Sequence, residues 1–155
     1  AVYGMVPYQL DHTLSDFGTV ARGVGQFDKE DLAGIIEYLT IEKKGNDITD
    51  QSSGQIFTGK EWISMNMWIC QPNFFDILSS EISLFLKNKA QLEKGEIYIP
   101  RIIETYIRKR EIQVKATEVC DSWFGVTYAE DKIMAISKLE HFKSKGEYPC
   151  PLWKN

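Results

Sequence analysis

The chain predicts an α/β fold, a mixed twisted sheet covered by helices and carrying a β-hairpin insertion. Three observations predict it. Residues 61–70, Glu61-Trp62-Ile63-Ser64-Met65-Asn66-Met67-Trp68-Ile69-Cys70, contain neither Gly nor Pro and pass through Gln71-Pro72 directly into a helical pattern, as a buried strand feeding a helix does. Residues 20–27 and 33–42 are two extended runs joined by the charged turn Asp28-Lys29-Glu30-Asp31, which predicts a hairpin. Apolar residues then recur at three- and four-residue steps in three later segments, the pattern of helices that lay one face on a sheet.

Each element has its own signal. Residues 2–10 form a strand in which Pro7 marks an edge or an end. The polar stretch 11–18 is a loop. Lys43-Lys44-Gly45-Asn46-Asp47 and Gln51-Ser52-Ser53-Gly54 are turn-formers that bound a long exposed excursion, and Gly59-Lys60 leads back to the Trp62 strand. Pro72 suits the first turn of a helix whose stripe is Phe74, Phe75, Leu78, Ile82, Phe85 and Leu86. Pro100 opens a second helix along Ile99, Ile102, Ile103, Tyr106 and Ile107. Arg108-Lys109-Arg110 ends it, where cations complement the helix dipole. Residues 112–119 alternate as a strand. Thr127-x-x-Glu130 is a capping box before Ile133, Ile136, Leu139 and Phe142, and Gly146 followed by Tyr148-Pro149 stops that last helix.

Composition narrows the function. At 155 residues the chain is one domain's worth, a single unit over 1–155. Eighteen basic against 22 acidic side chains, a net charge of −4, argue against a nucleic-acid binder, which needs a basic face. The three cysteines, Cys70, Cys120 and Cys150, are widely spaced without a C-x-x-C pair, and only His12 and His141 could join them. Such a set supports neither a disulfide framework nor zinc, and suits small buried thiols in a reducing cytoplasm. No window is apolar enough to span a bilayer. Walker, G-x-S-x-G and H-E-x-x-H motifs are all missing. Gly23-Val24-Gly25 reads as a bulge or a close backbone approach. Asn66, placed among methionines and tryptophans, is read as a buried amide that needs backbone, water or a ligand as partner.

Four segments occur in a particular order: Ala21-Arg22-Gly23-Val24-Gly25-Gln26-Phe27-Asp28, Gly34-Ile35-Ile36-Glu37-Tyr38, Ser64-Met65-Asn66-Met67-Trp68 and Trp123-Phe124-Gly125-Val126-Thr127. With the closing Gly146-Glu147-Tyr148-Pro149 and Leu152-Trp153, they resemble the latter half of the sugar nucleotidyltransferases, which join a sugar phosphate to a nucleoside triphosphate and release pyrophosphate. The resemblance implies the C-terminal part of a Rossmann-like fold, with the amino-terminal nucleotide-binding half absent from the chain. It implies that Gly23 lets backbone lie against the sugar, that Glu37 accepts bonds from sugar hydroxyls, and that Asn66 and Trp123 also meet substrate. Tyr38 stands where the family has a phosphate-holding lysine, which leaves Lys43 or Lys44 to reach that anion. Gly125 stands where the family has a metal aspartate, which leaves Asp121 or Asp131 to hold Mg²⁺.

Lacking the Gly-rich loop, the fragment itself is expected to be inactive. The alternative is a non-catalytic sugar-nucleotide-binding or oligomerisation module, which Tyr38 and Gly125 favour. The expected partners are a sugar phosphate and a nucleoside triphosphate, with no nucleic acid or membrane. Apolar edges bared by a missing half would invite self-pairing or a homo-oligomer.

Overall fold

The computed structural model describes residues 1–88, 95–117, 123–149 and 151. Strand β1 (Val2–Gln9) leads through a 3-10 turn (Leu10–Thr13) to β2 (Val20–Asp28) and β3 (Asp31–Lys44). Short strands β4 (Asp47–Asp50) and β5 (Ile56–Phe57) precede β6 (Trp62–Ile69). Helices α1 (Phe74–Lys87) and α2 (Ile99–Arg108), strand β7 (Gln113–Ala116) and helix α3 (Asp131–Ser144) complete the described residues.

The expected helix-covered, Rossmann-like sheet is not what these strands form. They run in the order β2-β6-β1-β7-β3, and β2 pairs back onto β3, closing a five-stranded β-barrel from which β4 and β5 extend. The physical reason lies in the connections. A doubly wound sheet needs helical crossovers between parallel strands, yet β1 to β6 follow one another with no α-helix between them, and β1 with β7 is the one parallel pair among the described residues. The β2–β3 hairpin is therefore two staves of the barrel and not an insertion. Closure at β3–β7 is narrow. Asp31 faces Lys115 in register, and Ala116 N donates to Glu30 O at 2.8 Å.

Two apolar clusters hold the barrel. Tyr3, Met5, Leu32, Ile35 and Val114 pack with Phe74 of α1 and Ile102, Ile103 and Tyr106 of α2, so α2 buries the middle of its predicted stripe while Ile99 stays exposed and Ile107 partly covered. Leu10, Val20, Ile41, Ile48, Phe57 and Ile63 form the second. The excursion expected to be exposed is tied down by the buried Asp50, whose carboxylate accepts bonds from the backbone and hydroxyl groups of both Thr40 and Ser53.

Helix α3 departs from expectation in two ways. Its stripe is largely uncovered, Ile133 being 77% exposed, while Phe142 meets Phe124 and Tyr148. No side-chain cap comes from Glu130; instead the Asp131 carboxylate reaches back and accepts from the N–H groups of Thr127 and Tyr128 in the turn before the helix.

Met5 is fully buried between β6 and β7, so Met5→Ala should lower unfolding free energy in urea by about 2–5 kcal/mol. Ile56→Ala, at a position 72% exposed, should change it by less than about 0.5 kcal/mol.

Candidate functional site

Three of the residues singled out by the sequence meet at the seam where β2 joins both neighbours. Gly23 lies opposite Glu37 of β3 and opposite Ser64 of β6. Its missing side chain is a matter of space. A Cβ there would stand 2.9 Å from Ile35 Cγ2 and 3.1 Å from Glu37 Oε2, so hydrogen alone lets the carboxylate lie across the strand.

Asn66 reaches the same place by a bulge. The β1–β6 register passes from Met5↔Trp68 to Pro7↔Ser64, so Val6 alone faces Met65, Asn66 and Met67. Pro7 has no N–H to offer a ladder, and the bulge removes the demand for one. The edge expected at Pro7 is therefore an irregularity inside an inner strand. Asn66 takes a φ of +58° and donates its N–H to Ser64 Oγ at 3.2 Å. That backbone region costs a non-glycine residue on the order of 1–2 kcal/mol, with Asn among the least penalised. The expected buried amide is in fact exposed, as are Trp62, Met67 and Ile69 of the same strand, while Ile63 and Ser64 face inward.

Gly23, Glu37 and Asn66 thus line one hollow of about 160 Å³, together with Ala21, Arg22, Ser64, Met65 and Pro100. A larger hollow of about 590 Å³ shares Ala21, Glu37 and Pro100 and adds Ile35, Leu39, Tyr98, Arg101 and Glu104. Glu37 stands between the two.

The electrostatics are uneven. Glu37 makes no side-chain hydrogen bond or ion pair among the described residues, and although its side chain is exposed at the surface, desolvation against the barrel wall still pushes its carboxyl above the ordinary value despite the opposing pull of Arg22. Arg22 is buried, donating Nε to Thr13 Oγ1 at 3.2 Å, Nη1 to Ala21 O at 2.7 Å and Nη2 to Thr13 O. Burial lowers its pKa and Glu37 acts against that. A carboxylate left ionised without a partner is a cost to stability, and such costs gather where ligands bind.

The other sequence candidates lie elsewhere. Lys43 pairs with Asp11 at 2.5 Å and Lys44 with Glu42 at 2.9 Å, and Tyr38 packs its ring on Phe57 at 5.1 Å. Trp123 lies over the Arg22 guanidinium at 5.5 Å and lines a separate cavity of about 30 Å³ with Asp131. Asp131 is buried with both oxygens engaged, Oδ1 accepting from Ser15 at 3.0 Å and Oδ2 from the Thr127 and Tyr128 N–H groups at 2.9 and 2.8 Å. The Tyr128 and Thr127 bonds and the Ser15 hydroxyl hold its carboxyl below the usual range against burial. Among the described residues no three or more His, Cys, Asp or Glu side chains stand together as a metal set, and both Asp131 oxygens are already taken by hydrogen bonds. Asp121, Cys120 and Cys150 lie outside the described residues.

No family model and no curated protein matches the chain. The site therefore rests on its geometry. Sequence reading missed Ser64 and Pro100 as wall residues; Pro100 carried a helix-start signal alone, and nothing local marks Ser64. Among the described residues no helix is long and apolar enough to cross a membrane.

The raised Glu37 carboxyl has a pH signature. A folded-state value above the unfolded one costs stability at neutral pH, and the cost disappears once pH falls below about 4.3, where both states are protonated. Glu37→Gln should therefore raise the melting temperature at pH 7, and the gain should shrink as pH falls and be gone by about pH 3 in a melting series.

Proposed function

We propose that this chain forms the sugar-binding part of a nucleotidyltransferase that joins a sugar phosphate to a nucleoside triphosphate in the cytoplasm, with release of pyrophosphate. The convergence of Gly23, Glu37 and Asn66 on one hollow carries the proposal. Glu37 is an unpaired, acceptor-only carboxylate, suited to two sugar hydroxyls. Asn66 offers a donor and an acceptor from the crest of a bulge, and Gly23 opens the space between them. Held this way, a sugar phosphate keeps one orientation while its phosphate oxygen attacks the α-phosphorus of the nucleotide, and orientation is a large part of the rate in such transfers.

A second reading, a non-catalytic sugar-nucleotide-binding module, is favoured by Tyr38, which packs on Phe57 where the family has a phosphate-holding lysine, and by Gly125 in place of an aspartate. Pyrophosphate release by the full-length protein across sugar phosphates and triphosphates separates the two.

Binding itself is tested by thermal shift, since a ligand held only by the folded form raises the melting temperature. A sugar 1-phosphate from a varied panel should raise it by several degrees at millimolar concentration, and Glu37→Ala should abolish the shift without lowering the unliganded melting temperature. An unresponsive protein, or an undiminished response in Glu37→Ala, would refute the sugar site.

A further inference from the structure

Sugar binding leaves the phosphate without a partner, and the described cations near the hollow can be taken one at a time. Lys43 and Lys44 are held by Asp11 and Glu42. Arg22 is committed to Thr13 and Ala21 beneath the Trp123 ring. Arg108 is held by Glu104 at 2.9 Å, a pairing that also neutralises the one carboxylate facing Arg101 from its own helix. Arg101 remains. Exposed in the first turn of α2, it lines the larger hollow and enters no ion pair or side-chain hydrogen bond with the described residues.

Resting on the sugar-site reading, we propose that Arg101 binds the phosphate of the sugar phosphate, which runs from the Asn66 hollow past Glu37 into the larger hollow beside α2. Three observations support this. The two hollows share Ala21, Glu37 and Pro100, and Arg101 follows Pro100 in the chain, so a ligand passing Glu37 arrives at its side chain. The Asn66 hollow, at about 160 Å³, is smaller than the ~300–1,000 Å³ of typical small-molecule sites, and the adjoining 590 Å³ brings the groove into that range. The unpaired Glu37 carboxylate repels a phosphate lodged in the smaller hollow, while a guanidinium fork matches phosphate oxygens two at a time. The cation expected at Lys43 or Lys44 is thereby supplied from a helix far along the chain.

Calorimetric titration of a panel of aldose 1-phosphates and the matching free aldoses tests this, using wild type, Arg101→Ala, Arg101→Lys and Glu37→Ala. Wild type should bind the phosphorylated form at least tenfold more tightly than the free sugar. Arg101→Ala should erase that margin and leave free-sugar affinity unchanged; Arg101→Lys should keep part of it, and Glu37→Ala should weaken both forms alike. A margin that survives Arg101→Ala overturns the role of Arg101 while leaving the sugar site standing. Failure of wild type to bind either form overturns both.

Discussion

Pairing of β2 along both edges is the constraint on which the rest of the structure depends. Its antiparallel ladder with β3 runs nearly the length of the hairpin, and a shorter one with β6 joins Gly23 to Ser64 and Val24 to Ile63. With the second ladder, strands that would otherwise form an open sheet close into a barrel and lose an exposed edge. The same ladder brings a carboxylate from β3 and an amide from β6 to either side of one glycine.

Closure is accommodated by irregularities that become features of the site. β2 shifts register between Val20 and Arg22 and again between Gln26 and Phe27, and β6 swells opposite Val6. Bulges bend strands and raise their twist, which a small barrel requires. At Asn66 the swelling also lifts a polar side chain into solvent beside Glu37. Both residues carry a local cost, a left-handed backbone at Asn66 and a partly desolvated carboxylate at Glu37. The first is met only by the Asn66 N–H bond to Ser64 Oγ and the second only by the pull of Arg22, neither side chain having a direct partner among the described residues.

Local signals carried much of this, and non-local ones did not. The hairpin, the 99–107 helix and the strand after residue 112 were legible because alternation, a three-to-four spacing and a proline at the helix start are written in consecutive residues. The Gly23–Ser64 pairing spans a stretch of chain with no marker at either end, so the hairpin read as an insertion and the fold as an open, helix-covered sheet. The row of six strands before the first α-helix was the available warning. The apolar residues of α3 spaced as a stripe remain mostly exposed, because periodicity states which residues share a face and not what covers it. Asp131, read as a metal ligand from a resemblance, is occupied by Ser15 and its own helix start. Asn66 stood out by itself as an amide among apolar neighbours, whereas Gly23 and Glu37 were marked as site residues by the resemblance.

The central claim is that β2 lies between β3 and β6, and nuclear Overhauser contacts of the Gly23 α-protons test it most directly. Cross-strand contacts from Gly23 to the backbone protons of both Glu37 and Ser64 are predicted, with slow amide exchange through the β2–β6 ladder. Contacts to Glu37 alone, with none to β6, would mean a free hairpin on an open sheet, and the hollow would not exist.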